Sequence, residues 1–173
     1  RVVHEALRVN RDLKAREHEL AAGETAVSGT VSGSYVNTKT SDGVNEVITE
    51  ELYTGHPRKR YSYAEHQWSF TLPGGDTTFL LEASRSNNSD GDNFQFAYST
   101  DGVNYVDVAL VSSATEQSFS VPLGNLSGNV TVRAVDTDRN WDLVSLDALY
   151  VDYIAFEVGD VDQSFAAAVA KGA

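Results

Sequence analysis

The stretch SNNSDGDNFQFAYSTDGVNY, residues 86–105, sets Phe94, Phe96 and Tyr98 at alternate positions between two segments rich in Asp, Asn and Gly. An apolar period of two is the mark of a strand with one buried face. Asp101-Gly102 suits a tight turn, and residues 103–108 supply the returning partner. The stretch therefore reads as a β-hairpin that needs no ligand to form. The hairpin leaves unexplained the acid placed just before it, Asp90 and Asp92, and a second acidic cluster in DTDRNWD at 136–142.

The same texture extends outward from the hairpin. Alternation is readable in Ala64, His66, Trp68, Phe70 and Leu72, in Phe79, Leu81 and Ala83, in Phe119, Val121 and Leu123, in Val130, Val132 and Ala134, and in Tyr150, Asp152, Ile154 and Phe156. Turn residues punctuate these runs at Pro73-Gly74-Gly75, Gly124 and Leu126-Ser127-Gly128-Asn129. Short strands without helical patterns between them predict an antiparallel β-sandwich, best a jelly roll, over residues 25–158. The first 24 residues read differently. Apolar residues at Val3, Ala6, Leu7, Leu13 and Leu20 have a helical spacing, which predicts an N-terminal helix over 2–21, stopped at Gly23. Residues 159–173 form a third segment, a tail or a short helix capped by Ser164.

The 173 residues suffice for one domain that buries a core without staples, and there is no Cys to make one. No apolar run is long enough to span a bilayer, so membrane attachment would need a segment preceding Arg1. The formal charge is −12. Residues 1–20 are nearly balanced, and the acid is concentrated in the body. Such a surface repels nucleic acid and anionic lipid and favours cations, neutral sugars or basic protein surfaces.

Carboxylates two residues apart on a loop can converge on one hard cation, so Asp90 with Asp92 and Asp136 with Asp138 are candidate calcium ligands. Asx turns, or a guanidinium from Arg85 or Arg139 placed among the acids, account for the same residues. A pyranose ring stacks its C–H face on an exposed aromatic while polar neighbours take its hydroxyls. Trp141, flanked by Arg139 and Asn140, is the candidate glycan platform; a Trp closing the end of the core is the alternative. Trp68 lies on an apolar strand face and reads as core, with His66 beside it as a half-buried imidazole. No zincin, G-x-S-x-G, P-loop or dinucleotide motif occurs. An acid–base pair drawn from Glu46, Glu50, Glu51 and Glu65 is the remaining route to catalysis.

Taken together, SYVNTKTSDGVNEVITEE, YSYAEHQWSF, DGDNFQFAYSTDGVNY and VRAVDTDRNWDLVSLDALYVDYIAF resemble the jelly-roll accessory modules of secreted bacterial and archaeal proteins. The resemblance spans about residues 30–158 and implies binding, adhesion or assembly rather than catalysis. RVVHEALRVNRDLKAREHELAAGE further resembles the polar half of the helix of type IV pilin-like proteins, whose head is a β domain. An ordinary amphipathic helix folded back on the sandwich fits that segment equally. The leading expectation is thus a non-catalytic extracellular or cell-surface structural or adhesive protein, a pilin-like subunit that assembles through its helix. The alternatives are a carbohydrate-binding module and, third, a glycoside-acting enzyme.

Overall fold

The computed structural model describes residues 17–53, 60–87, 91–140 and 144–159. In chain order its strands are β1 (Glu17–Leu20), β2 (Gly23–Ser28), β3 (Thr30–Ser32), β4 (Glu46–Thr49), β5 (Glu51–Tyr53), β6 (Tyr61–Tyr63), β7 (Glu65–Arg85), β8 (Phe94–Ser99), β9 (Val106–Val111), β10 (Gln117–Asp136) and β11 (Ala148–Gly159). All pairings are antiparallel.

Two long strands organise the fold. β7 and β10 pair from Gln117 opposite Ala83 to Val135 opposite Glu65. The first half of β7 and the second half of β10 form one layer, flanked by β2 on one side and by β8 then β9 on the other. Their other halves form the second layer, where β7 pairs with β11 and β11 carries β1 and β4 along its far edge, with β3 outside β4. A small ribbon of β5 and β6 stands apart from this ladder. The outcome is a jelly-roll-like sandwich, all β among the described residues.

The turn signals at Pro73-Gly74-Gly75 and Gly124 to Gly128 mark bends in one ribbon rather than breaks between strands. Register slips there by one extra residue on each strand, at Leu72 to Gly75 on β7 and at Pro122 to Gly124 on β10. Because side chains alternate with period two, each slip exchanges the faces of its strand. That is why even positions Trp68, Phe70 and Leu72 are buried before the bend and odd positions Phe79, Leu81 and Ala83 after it. Gly75 is the hinge. It adopts φ 148°, and a Cβ there would run into the Gly159 carbonyl.

The core fills the space between the layers. Phe70 of the first layer meets Phe156 of the second edge-on at 4.9 Å, and Phe79 lies 5.5 Å from the same ring. Trp68 stacks on Phe96 at 5.7 Å within the first layer. Phe94 and Ile154 complete this cluster, all buried as their strand phases predict.

The N-terminal helix expected over 2–21 is corrected here. Glu17–Leu20 is a strand hydrogen-bonded along β11, from Glu17 opposite Val158 to Leu20 opposite Ala155. The segment EHEL has good helix formers, but propensity is a weak prior beside the unpaired edge that β11 offers. The chain then buries Ala21, ties the Ala22 amide to the Ser69 carbonyl at 2.8 Å, and crosses into the first layer as β2. The first two strands are thus part of the sandwich. The rest of the expected helix and the tail beyond Gly159 lie outside the described residues.

Candidate functional site

One surface of the first layer is polar and concave. Outward positions of neighbouring strands line up in a row that runs Thr25, Gln67, Arg133, Ala97 and Asp107 across five strands. An open groove of about 400 Å³ follows this face, lined by Glu65, Gln95, Ala97, Asp107, Arg133, Val135, Asp136, Thr137 and Arg139. Its cations are held by rings and acids. The Arg133 guanidinium sits 3.8 Å from the centre of the Tyr105 ring, and the Arg139 guanidinium 5.5 Å from that of Tyr63. Arg139 Nε also lies 3.3 Å from Asp136 Oδ2, which accepts a second hydrogen bond from the Ala64 amide at 2.9 Å.

Beside the groove, the β5–β6 ribbon carries three tyrosines on one face. Tyr53 and Tyr61 stand opposite each other in the register and stack at 5.1 Å; Tyr63, two residues on, lies 5.6 Å from Tyr61. Tyr53 is 45% exposed. Arg139 lines the groove and covers Tyr63, so the ring ladder and the groove form one surface.

Of the residues singled out in the sequence, Arg139 is therefore at the junction of this surface. Asn140 is exposed beside it, its amide donating to Asp138 Oδ1 at 2.9 Å. Trp141 and Asp90 lie outside the described residues. The tyrosine ladder was missed because Tyr53, Tyr61 and Tyr63 gave no long alternation; only the pairing of two three-residue strands collects them.

A second constellation sits inside the sandwich at one rim. β4 and β11 end together in the second layer, β8 and β10 in the first, and the residues at these ends are acids: Glu50, Asp147, Asp92 and Asp136. All four are buried. Oxygen atoms of Glu50, Asp92 and Asp147 lie within 4.8 Å of one another. Donors reach all three: the Asp147 amide to Glu50 Oε2, the Asp138 and Asn93 amides to Asp92 Oδ1, and the Ser86 hydroxyl to Asp147 Oδ1. Burial, then the Asp92 and Asp136 charges, push the Glu50 carboxyl up to about 8; burial and Asp136 push Asp92 up to about 6. Asp136 is also raised, mainly by burial.

The sequence paired Asp90 with Asp92 and Asp136 with Asp138. Asp92 and Asp136 do approach, but the Asp138 carboxylate caps the Asn140 amide, and the partners that complete the cluster are Glu50 and Asp147. Arg85 is turned to Asn93 Oδ1 and the Ser86 carbonyl, so of the two guanidiniums considered, Arg139 is the one that reaches an acid of the cluster, Asp136.

A third group joins Glu46, His66 and Glu24. His66 Nε2 lies 3.1 Å from Glu46 Oε1 and 3.3 Å from Glu24 Oε2, and Trp68 Nε1 donates to Glu46 Oε2 at 2.7 Å. His66 is fully buried rather than half-buried, with its ring edge-on to Trp68. With Glu46 and Glu50 enclosed in the protein, two of the four acids considered for catalysis are out of reach of a substrate.

No protein family and no curated protein matches the sequence. Solved structures do match the fold. A family 61 carbohydrate-binding module solved with β-1,4-galactotriose superposes with a TM-score of 0.50 at 10% identity, covering 81% of this chain and 91% of that one. A point mutant of CBM29-2, a family 29 carbohydrate-binding module, gives 0.50 at 10% identity, covering 91% and 98%. At this identity the likeness is one of fold. The protein is a jelly-roll module of the architecture those binding modules use, and the expected pilin-type helix has given way at Glu17–Leu20 to a strand of that sandwich.

Proposed function

We propose that the protein is a non-catalytic glycan-binding module of an extracellular protein, and that it binds along the surface where the tyrosine ladder meets the groove at Arg139. The observation that carries this reading is the junction itself: stacked, partly exposed rings lead into a polar groove through one guanidinium. Rings supply apolar faces for the C–H side of a sugar, and Arg133, Gln95, Asp107 and Glu65 offer donors and acceptors for its hydroxyls. The fold likeness to carbohydrate-binding modules supports the same reading.

The test is a glycan array followed by calorimetry with the selected oligosaccharide, β-1,4-linked hexose oligomers being the first probes. Tyr61→Ala and Arg139→Ala should each weaken binding about tenfold or more, as loss of an anchor worth over 1 kcal/mol does. Trp141→Ala tests whether the neighbouring indole, proposed from the sequence, belongs to the platform. Absence of binding across the array, or binding indifferent to both Tyr61 and Arg139, would remove the proposal.

A further inference from the structure

We propose that the buried rim cluster of Glu50, Asp92 and Asp147, with Asp136 at its border, is a calcium site that ties the two layers of the sandwich together. The proposal is independent of glycan binding and differs from the Asp90, Asp92, Asp136, Asp138 set read in the sequence. It starts from topology. Glu50 and Asp147 come from the ends of β4 and β11 in one layer, Asp92 and Asp136 from the ends of β8 and β10 in the other. A cation held by Glu50, Asp92 and Asp147 would link strand ends that belong to different layers.

The dimensions fit the ion. Calcium–oxygen distances are about 2.3–2.6 Å, so two ligands of one calcium lie up to roughly 5 Å apart. The oxygens of Glu50, Asp92 and Asp147 are all within 4.8 Å of one another. An all-oxygen donor set selects a hard cation over zinc, and magnesium, with bonds near 2.0–2.1 Å and a strict octahedron, suits this spacing less well.

Separate observations point to a ligand. Glu50 Oε1 and Asp136 Oδ1 are buried with no hydrogen bond, although each carboxylate's other oxygen is held by a donor. Buried polar atoms are nearly always partnered, and atoms left without one call for an ion or a water. The cluster of Glu82, Glu116 and Asp152 differs. It is more exposed, Asp152 Oδ1 caps the Gly43 amide at 2.8 Å, and Glu82 accepts from Ser41, so turn geometry accounts for it.

The full chain, stripped with chelator and shown to be metal-free, is titrated with calcium chloride by calorimetry, and its melting is followed by circular dichroism. One calcium per chain and a melting temperature several degrees higher in millimolar calcium than in chelator are expected, since a ligand bound only by the folded state stabilises it. Magnesium should give a smaller rise. Glu50→Gln and Asp92→Asn should abolish both signals, and Glu82→Gln with Asp152→Asn should leave them intact. Flat melting of the parent, or calcium binding that survives both Glu50→Gln and Asp92→Asn, overturns the proposal. If those variants fail to fold, the parent titration together with the Glu82, Asp152 variant still decides: no response, or a response lost in that variant, refutes the site.

Discussion

The indole Nε1 of Trp68 donates to Glu46 Oε2 across 2.7 Å in a part of the sandwich that water does not reach. Trp68 belongs to the layer of β2, β8 and β9, and Glu46 to β4 in the other. The bond therefore pins the layers at a chosen height as well as satisfying a buried carboxylate. Trp68→Phe removes the donor and leaves a void above Phe96. A hydrogen bond to a charged group contributes about 1.5–3 kcal/mol, and the lost volume adds to it. We expect a loss of roughly 2–4 kcal/mol by urea denaturation. Glu46→Gln keeps an acceptor for the indole and should cost less than Trp68→Phe.

The same acid sets the behaviour of Glu24. Burial, then a hydrogen bond with Glu46 and its charge, raises the Glu24 carboxyl to about 7, against the pull of the Tyr35 amide. Burial alone would raise Glu46 as well, but hydrogen bonds from His66, Glu24 and Trp68 outweigh it and hold Glu46 below its ordinary value. The proton of the pair resides on Glu24. Its folded pKa lies above the unfolded one, so the folded state binds more protons between about pH 4.5 and 7, and stability from this group falls as pH rises through that window. Glu24→Gln mimics the protonated form and can still accept from Tyr35. It should melt higher than the parent at pH 8, and the difference should vanish near pH 4.5. Solvent at the partly exposed Glu24 limits the gain to about 1 kcal/mol or less.

What could be seen in advance, and what could not, follows from sequence separation. Trp68, Phe70, Phe94 and Phe96 announce their faces because strand alternation is local. The bend at Gly75 was visible as a turn signal and was misread as a strand end, because a phase change looks the same in sequence whether the chain turns back or runs on. EHEL became a strand only because β11, some 135 residues later, lay open beside it. Glu50 and Asp147 are 97 residues apart, and nothing near either one says that the other is its neighbour. Arg139 could be picked out by its loop, but Tyr53, Tyr61 and Tyr63 join it only through a pairing of short strands.

Gly75 offers a direct test of the bend. At φ 148° a side chain is strained, and the Gly159 carbonyl occupies the place a Cβ would take. Gly75→Ala should cost about 1–3 kcal/mol from backbone strain, with the clash added. Gly124 provides the contrast. It also has positive φ, 77°, but open space where its Cβ would go, so Gly124→Ala should cost only the left-handed penalty of about 1–2 kcal/mol. Equal losses in the two variants would mean that Gly75 is needed for its dihedral alone.

The β8–β9 turn is built around Asp101, and its acid response should have the opposite sign to that of Glu24. Asp101 Oδ2 accepts from Asn104 Nδ2 at 2.6 Å, and Oδ1 accepts from the Asn104 and Val103 amides at 2.7 and 2.8 Å and from the Ser99 hydroxyl at 2.9 Å. The Asn104 donors above all, then Val103 and Ser99, hold the carboxyl well below the usual carboxylate range. A depressed folded pKa gives stability that is present above the unfolded value and lost as pH falls, here from near pH 4 downward. Asp101→Asn keeps an oxygen acceptor but loses the charge that four donors surround. It should melt below the parent at pH 7, and the gap should narrow in acid below about pH 4, where the unfolded parent's carboxylate takes up a proton that the folded turn still excludes. A gap unchanged from pH 7 down to pH 2 would mean that the amide's different shape, rather than the lost charge, weakens the turn. Since Asp101 lies at the far end of β8 from Asp92, the variant should leave the proposed calcium response as it is in the parent.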